Sequence, residues 1–137
     1  MQKTLFKTAS VVLFPFYSLI GAVLYGQAIT GTVFRDFNAN GTKDNTATFN
    51  EIGIGGVTVS CVGTTGTGTT TSSNTTATLG QYTLTGCTGA TRVEFSGFLT
   101  GDYSGPLGTG SGTSVQFIST SGSRDNINFG INYPQDY

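Results

Sequence analysis

After residue 28, apolar and polar residues alternate with period two along much of the chain, and almost no stretch repeats at the helical period. Such alternation sends successive side chains to opposite faces of a strand, and so predicts half-buried β-strands. Ile29 to Phe34 is the first run, with Ile29, Gly31 and Val33 on one face. Val57, Val59 and Cys61 alternate with Thr58 and Ser60. Tyr82 and Leu84 point the same way in the next run, and Val93 and Phe95 point inward in the one after. Ser114 to Ile118 and Ile127 to Tyr133 are the last two, with Ile127, Phe129 and Ile131 sharing a face. Residues 63–78 are nearly all Thr, Gly, Ser and Asn. Thr favours strands and Gly favours turns, so this stretch reads as an extended strand with a loose loop, or as a flexible linker-like loop. Residues 96–113 read as loop. About seven short strands, separated by turn signals, predict an all-β fold: a small Greek-key-like β-sandwich.

The start of the chain follows a different pattern. Lys3 and Lys7 precede a mostly apolar stretch, Leu5 to Leu24, which ends in Tyr25-Gly26-Gln27-Ala28. A basic start, an apolar middle and a small-x-small exit describe a secretory signal peptide over residues 1–28. The rival is an N-terminal membrane anchor, because about 20 apolar residues can span a bilayer. Cleavage after Ala28 leaves 137 − 28 = 109 residues, the size of one small domain, with no membrane span expected to remain. The domain is expected over residues 29–133, followed by a short end at 134–137. That ending suits either a fragment of a longer protein or a free C-terminus.

Charge and residue type then narrow the chemistry. The 109 residues carry four Lys and Arg against seven Asp and Glu, a balance of 4 − 7 = −3. No basic patch exists to attract a phosphate backbone, which argues against a nucleic-acid partner. The chain has no histidine. The commonest general base, the commonest imidazole ligand and any serine-histidine-acid triad are therefore excluded. No nucleophile-base pair stands out, and no enzymatic activity is expected. Cys61 and Cys87 are the two cysteines. In an exported protein such a pair reads as a disulfide, contributing about 3 kcal/mol on the loop-entropy argument. The alternative is two small buried side chains in the core.

One segment carries chemistry. Asp36-Phe37-Asn38-Ala39-Asn40-Gly41-Thr42-Lys43-Asp44 places side-chain oxygens at relative positions 1, 3, 5 and 9, with Gly at 6. That spacing matches the first nine positions of an EF-hand-type calcium loop, in which a turning backbone presents alternate residues to the ion. Gly41 permits the sharp turn, and Thr42 offers its backbone carbonyl. Position 12 should be a bidentate glutamate and is Ala47. Glu51 supplies that carboxylate if the loop bulges. The flanks read as strands, so this is a calcium loop without helices. An Asn/Asp/Gly-rich turn with no ion is the other reading.

These stretches resemble a known family. Ile29-Thr-Gly-Thr-Val-Phe-Arg-Asp36-Phe-Asn38-Ala-Asn40-Gly41 and Glu51-Ile-Gly-Ile-Gly-Gly-Val57-Thr-Val59 are similar to the opening of the B-type (SdrD B-like) repeat domain of serine-aspartate surface proteins. Gly80-Gln-Tyr82-Thr-Leu84, Arg92-Val-Glu-Phe95 and Asn128-Phe129-Gly130 fit later strands of that domain. The resemblance implies a transthyretin-like or collagen-binding-B-like sandwich outside the cell, secreted or surface-associated. In that family such domains act as stalks or spacers, and several bind calcium for rigidity. Asp36, Asn38, Asn40, Asp44 and Glu51 match the family's calcium loop by position. The chain departs from the family in having one copy, no Ser-Asp tail and a cysteine pair. The first strand also lacks the lysine that an isopeptide bond needs.

The functional expectation is an extracellular structural or spacer module stiffened by calcium, with other domains of a larger surface protein as neighbours. The alternative is an adhesion module for a carbohydrate or a peptide strand of a host or matrix ligand. Without Trp, its aromatic candidates are Tyr82, Phe98, Tyr103 and Tyr133.

Overall fold

The computed structural model describes residues 26–97, 103–104 and 114–132. The signal-peptide reading of residues 1–28 falls almost wholly outside these, as do Phe98, Tyr133 and residues 134–137. Among the described residues no helix is long and apolar enough to cross a membrane.

The fold is an all-β sandwich. Its strands are β1 (Ile29–Arg35), β2 (Thr58–Thr65), β3 (Thr67–Thr71), β4 (Gln81–Leu84), β5 (Thr88–Ser96), β6 (Tyr103–Ser104), β7 (Val115–Ile118) and β8 (Phe129–Asn132). One sheet has the order β4-β1-β8-β6 and the other β3-β2-β5-β7. The chain changes sheet at every connection except β2–β3, a Greek-key-like interlocking. β1 runs antiparallel to β4 and parallel to β8, so the first and last strands lie side by side.

Alternation explains the core. Ile29 and Val33 of β1, Tyr82 and Leu84 of β4, and Phe129 and Ile131 of β8 face Val59 and Cys61 of β2, Val93 and Phe95 of β5, and Ile118 of β7. Phe95 is the hinge of this packing. It stacks on Phe129 of the opposite sheet (centroids 4.5 Å apart, 12° between planes) and meets Tyr82 edge-on at 5.9 Å. Tyr82 is thus a core residue, its hydroxyl donating to the Ile127 carbonyl.

The structure departs from the sequence pattern in three places. Residues 63–78 are extended as read, but as two paired strands in place of one strand and a loose loop. β2 continues to Thr65, turns at Gly66 (φ 83°), returns as β3 and ends in a 3-10 turn, Thr76–Thr78. Tyr103–Ser104, within the stretch read as loop, pairs antiparallel with β8. Phe34, on the face of β1 opposite Ile29 and Val33, is fully buried, and Gly130, its register partner on β8, is buried too. Asp36, at the start of the β1–β2 connection, and the Phe34 ring both stand on Gly130: a Cβ there would come within 2.9 Å of Asp36 Oδ2 and 3.1 Å of Phe34 Cζ.

β4 pairs with β1 only from Ile29 to Thr32. Past that point Ile52 to Ile54 takes over the same edge. Arg35 N–H donates to the Ile52 carbonyl (2.8 Å), Ile54 N–H to the Val33 carbonyl (2.8 Å), and Phe34 bridges Gly53. Gly80 sits at the handover with φ 80°. A Cβ there would stand 2.2 Å from the Val33 carbonyl oxygen and 2.7 Å from Gly53 Cα, so glycine alone fits.

Candidate functional site

The return of residues 52–54 to β1 decides the geometry of the loop between them. Asp36 leaves the end of β1, its N–H bonded to the Ile131 carbonyl at 2.9 Å. Glu51 arrives immediately before the clamp, and so lies beside the start of the loop although 15 positions separate it from Asp36. Glu51 Oε1 accepts from Phe37 N–H (2.9 Å) and Oε2 accepts from Asp44 N–H (2.7 Å). Its own N–H donates to the Asp44 carbonyl at 3.0 Å. The carboxylate thus staples the two ends and the middle of the loop.

Asp36 works on the other half. Its Oδ1 accepts from Asn40 N–H (3.1 Å) and its Oδ2 from Gly41 N–H (2.8 Å). Asn38 Oδ1 also accepts from Asn40 N–H at 3.2 Å, and Asn40 Oδ1 accepts from Thr42 N–H at 2.7 Å. These are Asx-type turns, the local bonds that Asn and Asp favour over regular structure. Both Asn side chains then donate Nδ2–H to Asp44 Oδ2, Asn38 at 2.7 Å and Asn40 at 2.9 Å. Ala39 at φ 54° and Gly41 at φ 74° make the tight turn. Gly130 forms the floor, where a Cβ would come within 2.9 Å of Asp36 Cβ and Oδ2.

Five of the six residues expected from the sequence, four by spacing and Glu51 by a bulge of the loop, join through side-chain oxygens: Asp36, Asn38, Asn40, Asp44 and Glu51. Thr42 joins through its backbone. The buried Ala39, the Phe37 N–H and Gly130 were not anticipated. An alanine with positive φ leaves no sequence signal, and Gly130 becomes part of the site only through the parallel β1–β8 pairing.

Electrostatics make the loop costly to hold. Asp36 is 0% exposed and Glu51 is 1% exposed. Burial raises the Glu51 pKa above its ordinary value. The N–H groups of Asp44 and Phe37 oppose that shift, and the Asp36 and Asp44 charges add to it. The side-chain donors are all oxygens: three carboxylates and two amide carbonyls. That chemistry fits a hard divalent cation such as calcium. As the side chains stand, no group of three or more His, Cys, Asp or Glu among the described residues is gathered closely enough to hold a metal ion. Asp44 Oδ2 is occupied by amide donors.

Two further features lie outside the loop. Cys61 of β2 and Cys87 of the β4–β5 turn are joined in a disulfide, Cα–Cα 6.3 Å. The buried Arg124 caps the same turn. It donates to the Cys87 carbonyl (3.2 Å), the Gly89 carbonyl (2.6 Å) and Thr91 Oγ1 (3.1 Å). On the outer face of the second sheet, Phe117 is 79% exposed and Val62 is 48% exposed, flanking Arg92 across three neighbouring strands. No protein-family model and no curated protein matches this chain.

Proposed function

We propose that this chain is an extracellular structural or spacer module whose 36–51 loop is stiffened by calcium. The observation that carries the reading is the placement of Glu51. Its carboxylate returns to the Asp36–Asp44 segment and is buried there with Asp36, raising negative charge in a dry place. Hydrogen bonds alone offset part of that cost, and a bound cation offsets more. Asp36, Asn38, Asn40, Asp44 and Glu51, with the Thr42 carbonyl, would hold the ion. It would supply positive charge and cross-link the loop to the end of β1. The exported location is supported by the basic-apolar-small pattern of residues 1–28 and by the disulfide.

Thermal unfolding of the domain from Ile29 onward, in millimolar Ca²⁺ and in excess chelator, tests the reading. A ligand at a hundredfold excess over its Kd adds about 2.7 kcal/mol, so Tm should rise clearly with Ca²⁺. Asp44→Asn, which removes a half-exposed carboxylate while keeping an acceptor, should weaken that rise. Equal melting in Ca²⁺ and chelator would leave the loop as a hydrogen-bonded turn.

A second reading, adhesion, draws on Phe117. An exposed ring beside Val62 and Arg92 on an open sheet face is an apolar contact for a ligand. Loss of ligand capture in Phe117→Ser with unchanged melting would favour it.

A further inference from the structure

Asn40 is followed by Gly41. In that pair a backbone nitrogen can attack the preceding side-chain amide with no Cβ against the closing ring. In the folded loop, three contacts converge on the reacting atoms. Thr42 N–H donates to Asn40 Oδ1 at 2.7 Å, where negative charge develops during attack. Gly41 N–H, the attacking group, is held by Asp36 Oδ2 at 2.8 Å, and a carboxylate acceptor raises electron density on that nitrogen. Asn40 Nδ2, the leaving group, is oriented by Asp44 Oδ2 at 2.9 Å. Asn40 itself is exposed, so water reaches the product.

We propose that Asn40 is a spontaneous deamidation site promoted by the folded loop. Gly41 N forms a bond to Asn40 Cγ and gives its proton to the Asp36 Oδ2 that holds it, which later returns it to solvent. The tetrahedral adduct collapses, the Cγ–Nδ2 bond breaks, and Nδ2 takes a proton from solvent and leaves as ammonia. Water then opens the five-membered succinimide at either carbonyl, leaving aspartate or isoaspartate at position 40. No oxidant or reductant is required.

The product changes the loop. A carboxylate oxygen replaces the amide donor that faced Asp44 Oδ2, so a hydrogen bond becomes a repulsion. The loop then carries four carboxylates and needs a divalent cation more than before. The covalent change stands by itself; this consequence rests on the calcium reading.

The test uses the full chain from an exporting host, incubated at mildly alkaline pH with and without denaturant. Peptide mass mapping follows amide-to-acid conversion at Asn40, Asn45, Asn50 and Asn74; the last three precede residues that carry a Cβ. Conversion at Asn40 should be several-fold faster than at the other three, and faster in the native chain than in the denatured one. Slower conversion in the native chain overturns the proposal, because the loop then protects the amide. An Asn40→Asp variant should show a larger Tm gap between Ca²⁺ and chelator than the parent. An equal gap, with native conversion observed, overturns the cation consequence and leaves the modification site in place.

Discussion

Asp36 and Glu51 each accept two backbone N–H groups, and their value to the loop lies in those four bonds. Asp36→Ala would leave the Gly41 N–H without its carboxylate acceptor in a buried place, which costs about 1–3 kcal/mol. Urea unfolding in chelator should show that loss, and a midpoint equal to the parent's would contradict it. Glu51 makes a pH prediction. Its folded pKa lies above the ordinary 4.5, so between 4.5 and the raised value the folded chain binds more protons than the unfolded one. Its contribution is therefore fully present below pH 4.5 and is lost as pH rises through the raised value. In chelator, the Tm difference between parent and Glu51→Gln should shift against the parent as pH rises across that window. A difference that stays flat would contradict it. Gln keeps one acceptor and turns an amide donor toward the other backbone N–H at every pH, so the pH dependence of the difference, rather than its size, reports the charge.

Elements explain why these side chains meet. The spacing of Asp36 to Asp44 was legible because an Asx-rich turn is local, and local bonds depend on neighbours in sequence. Glu51 was legible as a candidate, but its arrival depends on Ile52–Ile54 replacing β4 along β1. The Thr/Gly-rich stretch was ambiguous for the same reason. Threonine suits a strand, but only pairing with β2 makes residues 67–71 one. The disulfide links β2 of one sheet to the turn leaving β4 of the other, across a sequence separation of 26. Replacing both cysteines by alanine should cost about 3 kcal/mol, read from the urea midpoint of the oxidised parent and the double variant. Equal midpoints would show that Arg124 and the β2–β5 pairing already hold the turn.

At the scale of the whole molecule, Phe95 packs the two sheets together, touching Tyr82 and Phe129 across the core. Phe95→Ala should cost about 3–5 kcal/mol, the range for removing a buried ring. Phe117→Ser, on the exposed outer face of the strand next to β5, should stay within about 0.5 kcal/mol. Thermal or urea unfolding of both variants separates core from surface; a comparable loss in the two would show that the outer face of the second sheet is packed in solution.

Alternation alone settled the all-β class, the inward sets Ile29/Val33, Val57/Val59/Cys61, Tyr82/Leu84 and Val93/Phe95, and a core between two sheets, because period two is a property of each strand by itself. The tertiary structure decided what alternation cannot carry. Phe34 and Gly130 lie opposite the inward sets and are still buried, with Asp36 and the Phe34 ring packed on Gly130. The parallel pairing of β1 with β8 brings the first and last described strands together beneath Asp36. Those are long-range contacts, set by which edge each segment finds free, and no local pattern encodes them.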